Sequence, residues 1–251
     1  MTIPIFPENH EAAENLKIGA VTRFTTIDFP GCISAVLFLK GCPWDCLYCQ
    51  NQELRRREFA PEEGSVSWEW VEKFLGKRFG LIDGVVFSGG EPCVDPALPD
   101  AVRRVKAIGY KIGLHTGGAY PERLKKILPD LDWVGFDVKA PTEKPEVYEN
   151  VVRRKKVAEK VQESLDALLA SGVSYEIRCT AHPDYLSDAD LLLITEELQK
   201  KGVDTFALQI YRQPPGVDKS LWLERVGSDY PSQEVLDRMQ SAFPHFILRR
   251  T

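Results

Sequence analysis

Short apolar runs alternate with helical patterns along most of this chain. Residues 33–40, 84–87, 111–115, 133–138, 174–180 and 205–211 are apolar and rich in β-branched side chains, which predicts buried strands. Between and after them, helices are predicted over 68–78, 96–108, 120–127, 157–171, 187–201 and 232–242. Val157, Val161, Leu165 and Leu168 recur at helical spacing, a stripe that faces a core. Pro121 after Tyr120, and Ser187-Asp188 ahead of a run of leucines, mark two helix starts. Residues 246–248 predict a short closing strand. The polar segment 50–67 reads as a surface excursion, and 212–230, with Pro214-Pro215-Gly216, as a long loop.

Strand–helix alternation implies parallel strands joined by right-handed crossovers. Six such units leave a doubly wound sheet or a partial (β/α)6 barrel. Polar and special residues gather at the C-terminal ends of the predicted strands. Three cysteines follow the first, and Ser88-Gly89-Gly90-Glu91 follow the second. His115-Thr116-Gly117-Gly118 close the third, and Asp137 with Lys139 the fourth. Arg178 and Thr180 end the fifth, Gln209 and Tyr211 the sixth. Active sites of parallel α/β folds lie at that end of the strands, and convergence from six segments favours the barrel.

With 251 residues, 43% hydrophobic and 27% charged, the chain is expected to form one domain over 17–251, preceded by an extension at 1–16. No apolar run is long enough to span a bilayer, and the N-terminus lacks a basic region followed by an apolar one. Six cysteines without a regular framework fit a reducing cytoplasm rather than a disulfide scaffold. A net charge of −5 argues against nucleic acid as the main partner. Two basic runs, Arg55-Arg56-Arg57 and Arg153-Arg154-Lys155-Lys156, read either as solvated surface or as docking points for an acidic protein.

The most informative feature is Cys42-Pro-Trp-Asp-Cys46-Leu-Tyr-Cys49. Three thiolates hold three corners of a [4Fe-4S] cube and leave the fourth iron open for chemistry. Zinc usually takes four closed ligands as paired C-x-x-C or C…H units. No second such pair is present, and the next histidine after Cys49 is His115. Cys32, Cys93 and Cys179 are scattered and read as small hydrophobes.

The cysteine run, then Gln50-Asn51, and later Ser88-Gly89-Gly90-Glu91-Pro92, resemble the radical S-adenosylmethionine (SAM) superfamily. Phe24-Thr25-Thr26-Ile27-Asp28-Phe29-Pro30-Gly31 most resembles activases of anaerobic, glycyl-radical ribonucleotide reductases. The resemblance runs from about Lys17 to about Arg212 and implies a partial (β/α)6 barrel open on one side. It implies that Cys42, Cys46 and Cys49 ligate the cluster, with SAM chelating the fourth iron through its amino and carboxylate groups. One electron then breaks a C–S bond of SAM, and the resulting 5′-deoxyadenosyl radical takes a hydrogen atom from the substrate.

The same resemblance places Gly89 and Gly90 beside SAM's methionine and Glu91 in contact with SAM. A tight turn and a surface acid are the plainer alternatives. It places Tyr48 near the adenine, against ordinary packing, and brings Arg178 to SAM's carboxylate or ribose, against a pair with Glu176. Asp137 and Lys139 match an Asp-x-Lys element, against a structural ion pair, and Thr116 is a further cofactor contact. Where formate-lyase activases carry Asp-Thr-Asn-Gly, this chain has His115-Thr116-Gly117-Gly118, so a cation site near SAM is in doubt. Asp28 resembles a position near the substrate peptide.

The implied function is reductive cleavage of SAM to generate a glycyl radical on anaerobic ribonucleoside-triphosphate reductase. Flavodoxin or ferredoxin is the implied electron donor. The alternatives are activation of a formate-lyase or decarboxylase type of glycyl-radical enzyme, a small-molecule radical SAM reaction, and a non-catalytic electron carrier.

Overall fold

Eight strands form one sheet in chain order in the computed structural model, which describes residues 13–57, 66–213 and 223–250. They are β1 (Ile18–Thr25), β2 (Ser34–Leu39), β3 (Gly84–Gly89), β4 (Lys111–Thr116), β5 (Trp133–Asp137), β6 (Ser174–Ala181), β7 (Thr205–Ile210) and β8 (His245–Arg249). From β2 to β8 every pair is parallel, while β1 runs antiparallel along β2. Parallel neighbours need crossovers, and helices supply them. These are α1 (Trp68–Arg78), α2 (Leu98–Ala107), α3 (Pro121–Ile127), α4 (Pro145–Val152), α5 (Ala158–Ser171), α6 (Asp188–Lys200) and α7 (Gln233–Ala242). No ladder among the described residues joins β1 to β8, so the sheet is an open partial barrel.

All six expected strands and six expected helices are present, with ends within two residues of those predicted, and β8 is the closing strand. Two elements escaped the pattern. β1 is an edge strand with register shifts and one well-buried residue at each end, so it carries no apolar run. α4 is eight residues long and holds three valines, whose branching favours strand. Tertiary packing decides that segment: Tyr148, Val151 and Val152 are fully buried. Part of each expected loop, 58–65 and 214–222, and most of the N-terminal extension lie outside the described residues. Within that extension, Ala13 and Leu16 are buried in the main core.

That main core fills the space between the outer face of the sheet and the helices. A smaller one plugs the barrel interior: Phe29, Cys32, Val36, Val86 and Trp133. Phe29 stacks on Trp133 with ring centroids 5.7 Å apart. Gly84 and Gly113 leave room for it, since a Cβ on either would sit 3.1 or 3.2 Å from the Phe29 ring. Side chains alternate along a strand, so the same inward rows that begin apolar end polar. Val86 is followed inward by Ser88, Gly113 by His115, and Trp133 and Gly135 by Asp137. The plug closes one end of the barrel and the polar ends open the other. No helix among the described residues is long and apolar enough to cross a membrane.

Candidate active site

The polar end of the barrel is hollowed into a cavity of about 390 Å³. Cys42, Cys46, Cys49, Tyr48, Gly89, Gly90, Glu91, Thr116, Asp137, Lys139 and Arg178 all border it. Every residue expected at the site therefore meets in one place, from five separate strand ends.

The cysteine loop leaves β2 and is held from two sides. Gly41 and Cys42 donate backbone N–H bonds to the Leu54 and Arg55 carbonyls, at 2.7 and 3.0 Å. Asp45 and Leu47 donate to the carbonyls of Val152 and Val151, at 3.0 and 3.1 Å. Helix α4, which sequence patterning missed, thus carries the loop on its C-terminal turn and satisfies carbonyls left over at that helix end. Burial pushes the Cys42 thiol up to about 12 and the Cys46 thiol up to about 11, and raises Cys49 as well. Lys139 opposes the rise at all three. Thiols this buried release their protons only to a group that replaces the charge, as metal binding does.

The Gly-Gly-Glu segment lies along that loop. Gly90 N–H bonds the Leu39 carbonyl at 2.9 Å, and Glu91 N–H bonds the Gly41 carbonyl at 2.8 Å. The glycines answer to this neighbour: a Cβ on Gly89 would fall 2.3 Å from Leu39 N, and one on Gly90 2.3 Å from Gly41 O. Gly89 also has φ +117°, open to glycine at little cost. Glu91 is 2% exposed, not a surface acid. Its Oε1 accepts from Cys93 N–H at 3.1 Å and Thr116 Oγ1–H at 2.7 Å, and Oε2 accepts from Gly117 N–H at 2.9 Å. Burial raises its carboxyl against these donors. Glu91 locks the exit of β3 to the exit of β4.

Asp137 and Arg178 are directly paired in register on β5 and β6. Arg178 Nε donates to Asp137 Oδ1 at 2.8 Å, and Lys139 Nζ approaches Oδ2 at 3.5 Å. Gly135 makes room for the guanidinium, since its Cβ would lie 2.7 Å from Arg178 Cζ. Burial opposes ionisation of Asp137, but Arg178 and then Lys139 outweigh it and hold the carboxyl down to about 2. The alternative partner of Arg178, Glu176, is engaged elsewhere, in a bidentate pair with Arg249 at 2.8 Å for each bond. Lys139 Nζ also lies 5.8 Å above the Trp44 ring and 5.6 Å above Tyr48. Tyr48 stacks on Tyr185 at 5.2 Å, and Tyr185 on His182 at 5.8 Å.

His115 does not resemble a cation ligand. Burial, then Arg178, pull it down to about 3, so the imidazole is neutral. Nε2 lies 3.0 Å from the Asp28 carbonyl, which only accepts, so Nε2 carries the hydrogen. Nδ1 therefore accepts from Ser88 Oγ–H at 3.2 Å. Both nitrogens are committed, and the ring fixes the Phe24–Gly31 segment, with Asp28, at the edge of the cavity. Asp28 accepts from Thr25 Oγ1–H at 2.6 Å.

Sequence reasoning missed Trp44, Arg212 and Arg249, which also border the cavity. Trp44 sits within the cysteine run, whose cysteine spacing alone says nothing of it. Its ring lies edge-on to Tyr148, 6.4 Å away, and Gly117 leaves the space it occupies. The Tyr211 hydroxyl, just past β7, is buried beside the same cavity with no hydrogen-bond partner among the described residues.

The residues fit an iron–sulfur cluster. Three thiols of one loop border one cavity beside Lys139, whose side chain is 12% exposed and whose charge would offset the negative charge of a thiolate-bound cluster. No three His, Cys, Asp or Glu side chains among the described residues converge on one ion position. A cube asks instead for one thiolate on each of three irons.

The fold and site thus define an iron–sulfur enzyme built on a partial barrel. The chain belongs to the radical SAM superfamily, whose family model matches residues 36–193. This family uses a [4Fe-4S] cluster and SAM. The chain is 27% identical over 212 residues to the "Putative glycyl-radical enzyme activating enzyme" of Methanocaldococcus jannaschii, covering 80% of this chain and 82% of that one. Its fold is shared with Streptococcus suis SuiB bound to S-adenosylmethionine, at TM-score 0.61 and 11% identity over 83% of this chain and 48% of that one. It is also shared with a domain of the pyruvate-formate lyase-activating enzyme from Bacteroides vulgatus, at TM-score 0.53 and 16% identity over 66% of this chain and 98% of that one.

Proposed function

We propose that this protein installs a glycyl radical on a partner enzyme, and that the partner is anaerobic ribonucleoside-triphosphate reductase. The observation that carries the first part is the likeness to the Methanocaldococcus jannaschii protein along most of both chains. The Phe24–Gly31 segment and the lack of any cysteine between Cys49 and Cys93 support the second. Longer activases insert a cysteine-rich segment there.

Cys42, Cys46 and Cys49 hold the cluster in this reading. When bound, the cluster and SAM together supply a radical able to remove a hydrogen atom from carbon. The chain's own residues bind and orient. Gly89 and Gly90 bring bare backbone to SAM's methionine, and Glu91 keeps that backbone and Thr116 in place. Arg178 faces SAM's carboxylate or ribose; Asp137 holds its Nε and leaves Nη1 without a hydrogen bond among the described residues. Lys139 offsets cluster charge, and Tyr48, fixed by Tyr185, offers a flat face to the adenine. The substrate glycine enters past Asp28, and the hydrogen atom leaves its Cα.

The test is electron paramagnetic resonance on the anaerobic, cluster-loaded protein with SAM, a reductant and the reductase. A glycyl-radical signal that requires all components supports the proposal. Its absence, with cluster and reductase intact, rejects the reductase as partner.

A further inference from the structure

A second cavity, of 170 Å³, lies behind the cysteine loop. Arg154, Lys155, Lys156 and Lys160 border it, and no carboxylate among the described residues does. Trp44 is the one described residue that borders both cavities, so its indole stands as a wall between them. Arg154 Nε donates to the carbonyl of Pro43, the residue after Cys42, at 2.8 Å. The basic segment is thereby tied to the loop that carries the cluster ligands. Its four residues, 153–156, are exposed. Among the described residues the one carboxylate that bonds the segment is Glu149, which accepts from the Lys156 backbone N–H at 2.7 Å. Lys155, Lys156 and Lys160 make no ion pair among the described residues. This concentration of cations sits on a chain whose net charge is −5. A negatively charged macromolecule is repelled by the whole and attracted here, which orients its approach.

We propose that this basic cavity docks a small acidic one-electron carrier protein that reduces the cluster through the Trp44 side of the loop. The inference rests on the cluster reading of the three cysteines and not on the identity of the substrate. SAM cleavage consumes one electron per turnover. The carrier is oxidised by one electron and the cluster reduced by one, and no bond or proton moves between them. Because Trp44 closes this cavity from the larger one, carrier and radical acceptor occupy different surfaces and bind together.

The test uses cluster-loaded protein and flavodoxin hydroquinone as the probe, with affinity measured by calorimetry and cluster reduction by stopped flow. Binding should weaken sharply between about 50 and about 300 mM salt as charges are screened. Lys155→Glu with Lys160→Glu should weaken it about tenfold or more and slow reduction by flavodoxin in step. Lys155→Arg with Lys160→Arg keeps the charge and should keep wild-type affinity. Photoreduced deazariboflavin, an uncharged donor, should reduce the wild-type and charge-reversed proteins equally fast. No saturable binding, or equal affinity of wild type and charge-reversed variant, overturns the proposal. If deazariboflavin reduces no cluster in either protein, the cluster reading fails instead, and the affinities still decide the docking surface.

Discussion

Arg178 reaches across from β6 to Asp137 on β5, Nε to Oδ1 at 2.8 Å, at directly paired positions of the sheet. Both side chains were singled out for the cofactor, and they are also each other's main partner. The carboxylate fixes which way the guanidinium points, and a fixed guanidinium is what recognition of a carboxylate or a ribose requires.

Replacing Arg178 by Met should therefore do two things. The Asp137 carboxyl, left with Lys139 and with burial against it, should rise from about 2, read by carbon-detected NMR titration. Stability should fall by about 3 kcal/mol or less, the low end for breaking a buried pair because Asp137 faces the cavity. Urea unfolding of the cluster-free protein checks the second effect apart from catalysis.

His115 gives a pH dependence. Its folded pKa, about 3, lies below the ordinary value of 6.5. The unfolded chain thus binds the proton first. The stability this histidine contributes is complete above pH 6.5 and declines as pH falls from 6.5 towards 3, by up to about 1.4 kcal/mol per pH unit. His115→Asn should flatten the wild-type slope between pH 7 and pH 5 by roughly that amount. Equal slopes would mean that the imidazole titrates normally.

Two glycine substitutions should separate crowding from backbone strain. In Gly90→Ala the new methyl falls 2.3 Å from Gly41 O, so the segment must leave the cysteine loop. Loss of about 3 kcal/mol or more and poor cluster incorporation are expected. Gly31 has φ +73° and nothing within 4 Å of its Cβ position, so Gly31→Ala should cost about 1 kcal/mol and keep full iron content.

Glu91→Gln keeps the shape and exchanges one oxygen for an amide. Whichever way the amide turns, a donor faces a donor: Gly117 N–H at one position, or Cys93 N–H at the other, where Thr116 Oγ1 must also reorient. A loss of about 1–3 kcal/mol is expected. Hydrogen exchange at Gly117 should quicken, and SAM affinity should fall while iron content is retained. Unchanged exchange would show that the tether is unimportant.

Much of this architecture was legible because the barrel writes the same statement six times: an apolar run, polar residues at its end, then a helix. The cysteine spacing and Gly-Gly-Glu are local in sequence and could be read directly. What could not be read is long range. Helix α4 owes its form to the burial of Tyr148, Val151 and Val152, and nothing local announces that it carries the cysteine loop. The choice of Asp137 over Glu176 as partner of Arg178 depends on β5–β6 register and on Arg249, some seventy residues downstream on β8. Glycines 89 and 90 were placed beside the cofactor from their motif, and they border the cavity, but the motif does not show the neighbours a Cβ would meet there, the backbone of β2 and of Gly41. A sequence shows that glycine is present but not which neighbour demands it.

Cys46→Ala should leave the barrel folded by circular dichroism while iron content collapses. The central claim, that three cysteines leave one iron open to SAM in this cavity, has a more direct test. Pulsed electron–nuclear double resonance on the reduced protein with SAM labelled with nitrogen-15 at its amino group should detect that nitrogen coupled to the cluster. A cluster present at full occupancy, with SAM bound and no nitrogen coupling, would contradict the account.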